Sequence, residues 1–411
     1  MNRGVLMSVM ALLAGVSTAT PAVTSVTVSQ DAGSRVVKVG YALSEAAIVT
    51  FEAYTNGVSV GDAPLRTAYG DVWRKVTAGS GKAICWQPRT TFPHCVVDDG
   101  SLTVKVRAWA LDNPPDYMIV DLAMPSNVWW YASTGQFPYD VHSDLYKSAA
   151  LVMRRIRAAG VQWQMGSLDG EWPGHAEEEV SHPVILTNDF YMAIYKTTAR
   201  QHKRLQATVD NAAWGMTPMV GQGATGLKDL GTCYESVRGA KPTYDWPTTG
   251  HSVDPNSICG KIRALTGIET FDLPTDAEWE FAMRAGTTDA MCGATNLSDI
   301  AWWKESSGGV AHVVGLLRPN GLGIYDPLGN GFELCLDYYS TGDTYAKKGV
   351  LQVAPVGAAS HADNGRVVRS ASWKHDVEFV RAAARSSVGA TQETRPEAGV
   401  GYRLVCGCDF R

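Results

Sequence analysis

Apolar and polar positions alternate through most of the first hundred residues. Val26 and Val28, then Val37, Val39 and Tyr41, then Val49, Phe51 and Ala53 recur two apart, which predicts half-buried strands. The third of these runs ends at Asn56-Gly57, a dipeptide suited to a tight hairpin because both positions tolerate a positive φ. Leu102, Val104, Val106 and Ala108 form the clearest alternation, with Thr103, Lys105 and Arg107 facing outward. Met118, Val120 and Leu122 close the set. Short strands separated by turn signals over residues 23–124 predict an all-β sandwich of the immunoglobulin or fibronectin kind.

The pattern then changes. Residues 125–151 read as a linker or hinge, aromatic and turn-rich from Asn127 to Gln136, with a short helix near Ser143–Ala150. From residue 152 to 411 strands, helices and long Gly-, Asn- and Asp-rich connections are mixed, the mark of an α+β domain. The best helix runs from Asp276 to Ala285. Thr275 is its N-cap and Glu278 stands three residues on, a capping box. Trp279, Ala282 and Met283 share one face, and Gly286 is the stop.

Residues 1–22 read as a secretory signal. Arg3 precedes a short apolar run from Val5 to Ala14, and Ser17-Thr18-Ala19 offers a cleavage site. Such a leader predicts a secreted, periplasmic or cell-surface protein. Later in the chain no stretch is long and apolar enough to predict a membrane span. The net charge is −5 with both signs interspersed, and no Lys/Arg-rich run predicts nucleic acid as a partner. Export with eight cysteines suggests disulfides. Cys85 and Cys95, close together and alone in the first half of the chain, would pair first, and buried free thiols are the alternative for several others.

Four blocks, in order, resemble the formylglycine-generating enzymes, or sulfatase-modifying-factor domains. The first is Trp163-Gln164-Met165-Gly166-Ser167 with His182-Pro183-Val184-Ile185-Leu186 and Phe190-Tyr191-Met192. The second is Leu273-Pro274-Thr275-Asp276-Ala277-Glu278-Trp279-Glu280-Phe281-Ala282. The third runs from Gly323 through Asp326-Pro327-Leu328-Gly329-Asn330-Gly331-Phe332-Glu333 to Cys335. The fourth joins Val368-Arg369-Ser370-Ala371-Ser372-Trp373, Arg381-Ala382-Ala383-Ala384-Arg385 and Gly401-Tyr402-Arg403-Leu404. The resemblance implies a C-type-lectin-like core. Read as residues alone, Trp279 and Phe281 belong to a core, and Arg381 and Arg385 tie loops to carboxylates or carbonyls.

Further expectations follow from the resemblance. It implies a structural calcium held by Asp326, the Gly329 and Gly331 carbonyls and Glu333, and a second near Asp299. Carboxylates and glycine-freed carbonyls suit that hard ion. Turn-capping or pairing with arginine is the alternative for Asp326 and Glu333. The family's oxidase activity would need two thiolates for copper(I). They should fall between the fourth block's first two parts, where Trp373-Lys374-His375-Asp376-Val377-Glu378-Phe379-Val380 contains no cysteine, so copper is not expected. Ser372, His375 and Asp376 are hydrolase residue types, but His375 and Asp376 adjacent on one strand would face apart. Glu333, Asp337 and Asp343 are acidic neighbours of the kind a glycosidase pairs.

The reading favoured by these residues is a non-enzymatic binding or display module. Its lectin-like face would comprise Trp373, Lys374, His375, Asp376, Glu378 and Phe379, then Ser386, Ser387, Gln392 and Thr394, and would take a protein or glycan ligand. Some lectin-like relatives of the family are varied across such a face by diversity-generating retroelements. A formylglycine-generating oxidase is the alternative, and an unrelated hydrolase on the same fold is a weaker one.

Overall fold

The computed structural model describes residues 20–88, 102–123, 128–168, 179–207, 215–220, 233–240, 242–342, 345–360, 365–388 and 399–411. The first strands are β1 (Val23–Gln30), β2 (Val37–Leu43), β3 (Ala47–Thr55), β4 (Val58–Ser59), β5 (Tyr69–Gly70), β6 (Lys75–Val76), β7 (Gly79–Trp86) and β8 (Leu102–Trp109). One sheet runs β1–β2–β7–β5, and the other is centred on β3, which pairs with β4, β6 and β8. Val37, Val39, Val49, Phe51, Ile84 and Trp86 are buried between them. Asn56 and Gly57, both at positive φ, turn β3 into β4. In β8, Leu102 and Val106 are buried while Thr103, Lys105 and Arg107 are exposed. The alternation misleads at β1, an edge strand whose Val26 and Val28 are exposed.

The following strands are β9 (Tyr117–Asp121), β10 (Val128–Tyr131), β11 (Ala150–Ile156), β12 (Gln162–Met165), β13 (His182–Ile185) and β14 (Phe190–Ala193). After them come β15 (Ala301–Trp302), β16 (Leu328–Gly329), β17 (Phe332–Tyr338), β18 (Gln352–Val353), β19 (Arg366–Arg369), β20 (Ser386–Val388), β21 (Val400–Gly401) and β22 (Val405–Gly407). A five-stranded antiparallel sheet runs β10–β9–β11–β14–β22. Met118, Val120 and Leu122 therefore do not close the first unit: β9 pairs with β11, in register from Ala150↔Asp121 to Arg154↔Tyr117. Residues 128–131 are likewise a strand of this sheet rather than a hinge.

The reason lies in side-chain burial on both faces. Met118, Val120, Leu151 and Met153 point into the C-terminal core, whereas Ile119, Tyr131, Ala150 and Val152 pack with the N-terminal sheets. A strand covered on both sides carries an unbroken apolar run rather than an alternation. The same demand converts the helix expected near Ser143–Ala150 into a single 3-10 turn, Asp144–Lys147, followed at once by β11.

Helix α4 (Asp276–Arg284) follows α1 (Ala199–Ala207), α2 (Cys233–Arg238) and α3 (Ile258–Thr266). Its capping box forms as expected: Thr275 Oγ1 accepts from the Glu278 N–H at 3.2 Å, and Glu278 Oε2 accepts from the Thr275 N–H at 2.8 Å. The left-handed stop begins at Ala285 (φ 51°) and continues through Gly286 (φ 86°). Trp279 is wholly buried, and Phe281 packs partly buried on the same core. No helix among the described residues is long and apolar enough to cross a membrane.

Cys85 carries a free thiol and Cys95 lies outside the described residues, so no bond between them is seen. Cys259, Cys335, Cys406 and Cys408 are buried free thiols. Burial pushes all four well up from the usual thiol range, Cys408 to about 12.

Candidate functional site

A four-stranded sheet, β20–β19–β17–β21, and helix α4 enclose an ionic core. Arg369 on β19 bonds Asp276, reaches Glu280 Oε2 at 2.8 Å and donates to the Ala382 and Ala383 carbonyls at 3.1 Å each. Arg385 donates to Asp276 Oδ2 at 2.8 Å and to the Ser340 carbonyl at 3.0 Å. Arg381 holds both Glu179 oxygens, at 2.6 and 2.7 Å, and the Glu378 carbonyl at 2.7 Å. The two arginines expected to tie loops to carboxylates and carbonyls do so. Each guanidinium satisfies several acceptors at once, which lets irregular backbone be buried.

This core presents the segment after β19 on the surface. Trp373 is itself buried, 3% exposed, beneath Gly399, so it supports the face rather than touching a ligand. Its carbonyl accepts from Ser307 Oγ at 2.7 Å. Lys374 is exposed, with its ammonium 5.6 Å from the Trp373 ring centre. His375 lies edge-on to Phe332 and Phe379, with ring centres 4.7 and 5.6 Å away. Asp376 pairs with Lys304 at 2.7 and 2.9 Å, and the Lys304 N–H donates to the His375 carbonyl at 3.1 Å. A 3-10 turn, Val377–Phe379, leaves Glu378 and Phe379 exposed, Phe379 by 46%. Ser386 and Ser387, half-exposed, belong to a different element, the edge strand β20. Gln392 and Thr394 lie outside the described residues.

The sequence reading missed the second half of this face. The loop after β15 stacks Trp302 on His312, with centres 3.8 Å apart and planes at 18°. Asn330 clamps that loop: its Oδ1 accepts from the His312 N–H at 2.9 Å, and its Nδ2 donates to the His312 carbonyl at 3.1 Å. Trp302, Trp303 and His312 are half-exposed, and Val310 is exposed. The aromatic Trp302-Trp303 pair beside Lys304 was the available sequence signal.

The hydrolase constellation is not assembled. Ser372 Oγ does lie 2.7 Å from His375 Nδ1, but Ser372 is fully buried and Asp376 turns to Lys304. The cause is not the strand alternation expected, because residues 373–379 form a turn and a 3-10 segment. Among the described residues a glycosidase pair is not assembled either. Both Glu333 oxygens are bonded internally, and Asp343 lies outside the described residues. Asp337 lines a cleft of about 410 Å³ with Tyr345, Arg385 and the Gln352–Gly357 loop. Its carboxyl is pushed up to about 7, first by burial and then by the charge of Asp276.

Of the four expected calcium ligands, Glu333 and the Gly331 carbonyl meet at a lysine, while Asp326 and the Gly329 carbonyl have other partners or none. Lys196 Nζ lies 2.5 Å from Glu333 Oε1, 3.1 Å from the Gly331 carbonyl and 3.3 Å from Ser370 Oγ. Burial would raise the Glu333 carboxyl, yet Arg403 first and Lys196 second outweigh it and hold the pKa at about 2. Asp326, wholly buried, accepts from the Gly315 N–H through Oδ2 at 2.8 Å, while Oδ1 has no partner. Asp299 stands apart, 3.6 Å from Arg318 at the surface. Among the described residues no three His, Cys, Asp or Glu side chains are grouped to hold a metal ion.

Residues 149–407 match the family model described as the sulfatase-modifying factor enzyme 1-like domain. The chain belongs to this family. The matched span takes in β11, the ionic core and both halves of the aromatic face. Among curated proteins, the chain is 24% identical over 193 residues to "Chaperone protein LppX" of Paenibacillus barcinonensis. That match covers 39% of this chain and spans 66% of the relative's length. Among solved structures, Treponema denticola variable protein 1 is similar at 21% identity and a TM-score of 0.42, covering 66% of this chain and 98% of that one. PvdO from Pseudomonas aeruginosa is similar at 19% identity and a TM-score of 0.43, covering 62% and 94%.

Proposed function

We propose that this sulfatase-modifying-factor domain is an exported, non-enzymatic binding or display module that holds a protein ligand on the face built from Trp302–His312 and Lys374–Phe379. One observation carries the reading. Two loops distant in sequence are locked together by the Lys304–Asp376 pair and the Lys304–His375 backbone bond, and they present Phe379 with half-exposed Trp302, Trp303 and His312. Rigid aromatics beside a polar rim suit recognition at low entropic cost. The absence of cysteine from residues 373–380 supports a role other than copper oxidation. The relative named a chaperone protein favours a protein over a glycan as the ligand class. In this reading residues 23–109 form an immunoglobulin- or fibronectin-like sandwich that serves for spacing, docking or display of the face. Residues 1–22 are removed on export.

The test is a selection for ligands of the full mature chain, from a displayed peptide library and a glycan array in parallel. A selected ligand should lose about tenfold in affinity with Phe379→Ala, the loss expected of an aromatic anchor. Ligands whose affinity ignores both Phe379→Ala and Lys304→Ala would overturn the assignment. Stoichiometric copper(I) binding together with oxidation of a sulfatase-type cysteine peptide would replace it with the oxidase reading.

A further inference from the structure

We infer that the Lys196 ammonium occupies the position of the calcium ion implied by the family resemblance, so that this domain carries its own cation there and binds no metal at that place. The number of acceptors distinguishes the two cations. An ammonium has three protons to donate. Lys196 Nζ has three acceptors around it: Glu333 Oε1, the Gly331 carbonyl and Ser370 Oγ. Calcium needs about six to eight oxygens. Of the four groups named for it, Glu333 is spent. Its Oε1 accepts from Lys196 and from Arg403 at 2.8 Å, and its Oε2 from Trp279 Nε1 at 2.7 Å and Arg403 Nε at 3.0 Å. The Gly331 carbonyl faces Lys196, and the Gly329 carbonyl accepts from Ser370 Oγ at 3.3 Å. Asp326 Oδ1 is left, one oxygen where several are required.

The geometry around this lysine is otherwise what an inward-turned carbonyl site needs. Gly329 and Gly331 hold φ of 71° and 141°, and a Cβ at Gly329 would stand 2.3 Å from the Trp302 carbonyl oxygen. Such a turn gathers oxygens around a positive charge, and a side chain supplies that charge. Lys196 is 1% exposed and stands three residues after the end of β14, whose pairing with β11 and β22 fixes where the lysine enters.

The experiment measures thermal unfolding and metal content of the full mature chain after exhaustive dialysis against EDTA, with and without added calcium. The expected result is one unfolding midpoint in both conditions and no stoichiometric calcium by elemental analysis. A midpoint that falls on chelation and returns with calcium, in the wild type and in Asp299→Ala alike, overturns the inference, whatever the Lys196 variant does. Lys196→Ala should unfold at a lower temperature and regain part of the loss when calcium, but not magnesium, is added, because the vacated ligands can then close on an ion. A folded Lys196→Ala protein whose midpoint ignores calcium overturns the claim that the two cations share one position. Should that variant not fold, the wild-type and Asp299→Ala measurements decide alone.

Discussion

Asp337→Asn should stabilise the protein, and increasingly so as the pH rises. Asp337 is 2% exposed, and its Oδ2 accepts from the Asp276 N–H at 2.6 Å, the first amide of α4. Burial and the neighbouring Asp276 charge push its pKa from 3.8 to about 7. A carboxyl raised on folding binds its proton more tightly in the native state. Its favourable contribution is therefore complete below the unfolded pKa and is lost as the pH climbs from about 3.8 towards about 7. At about 1.4 kcal/mol per pH unit, holding the ionised form in the fold costs about 4 kcal/mol above neutrality. Asparagine keeps the size and the acceptor for Asp276 but cannot ionise. The stability difference, variant minus wild type, should grow by about 2–3 kcal/mol between about pH 5 and about pH 8. Urea unfolding followed by tryptophan fluorescence at each pH measures this. Wild type and variant curves that run parallel across the range would refute the reasoning, since that is the behaviour of a carboxyl with the same affinity for protons folded and unfolded.

The acid side should behave oppositely. Asp276, Glu280 and Glu333 are all buried and, despite burial, are held below their ordinary values by arginine and lysine partners. Their stabilisation is present above the usual carboxylate range and falls away as the pH drops through the native values, about 2 for Glu333, which acid unfolding should record. Glu333→Gln strands Lys196 and Arg403 and should cost about 3–5 kcal/mol in urea unfolding. Thr275→Ala removes the capping-box hydroxyl of α4 and should cost about 1 kcal/mol. A chain cut to residues 111–411 exposes Ile119, Tyr131, Val152 and Ile194, so it should bind a hydrophobic dye and aggregate where the intact chain does neither.

The sequence was most legible where local rules decide the outcome. The Thr275–Glu278 capping box, the Asn56-Gly57 turn and the outward row on β8 follow from neighbours a few residues apart, and all three form. It was least legible where burial is decided by distant chain. Met118-Ile119-Val120 looked like one alternating face because nothing nearby says that both faces of β9 are covered. Trp373 looked like a ligand contact because its cover, Gly399, is remote in sequence. The Lys196 contacts with Glu333 and the Gly331 carbonyl were not legible either, because Lys196 stands more than a hundred residues before them and carries no motif. Helices α1 and α3 went unread for a different reason. Their apolar stripes are short, although Ser257 and Gly267 bracket α3 with an ordinary cap and stop.

The two-faced sheet also bears on how a binding face could work. If residues 125–151 were a hinge, a ligand bound to the loops at 302–312 and 373–379 would have to restrict that hinge, and association would be weakened by the lost freedom. Instead β9, β10 and β11 belong to one antiparallel sheet, with Ile119 and Val152 in one core and Met118 and Met153 in the other. The N-terminal sheets and the family domain therefore share buried side chains rather than a tether. The face itself is held from behind by Arg369, which ties β19 to helix α4 and to the Ala382 and Ala383 carbonyls, and by Arg381, which ties the Glu378 carbonyl to Glu179. A surface fixed twice over loses little freedom when a partner arrives, so its affinity should depend on the exposed side chains of those two loops.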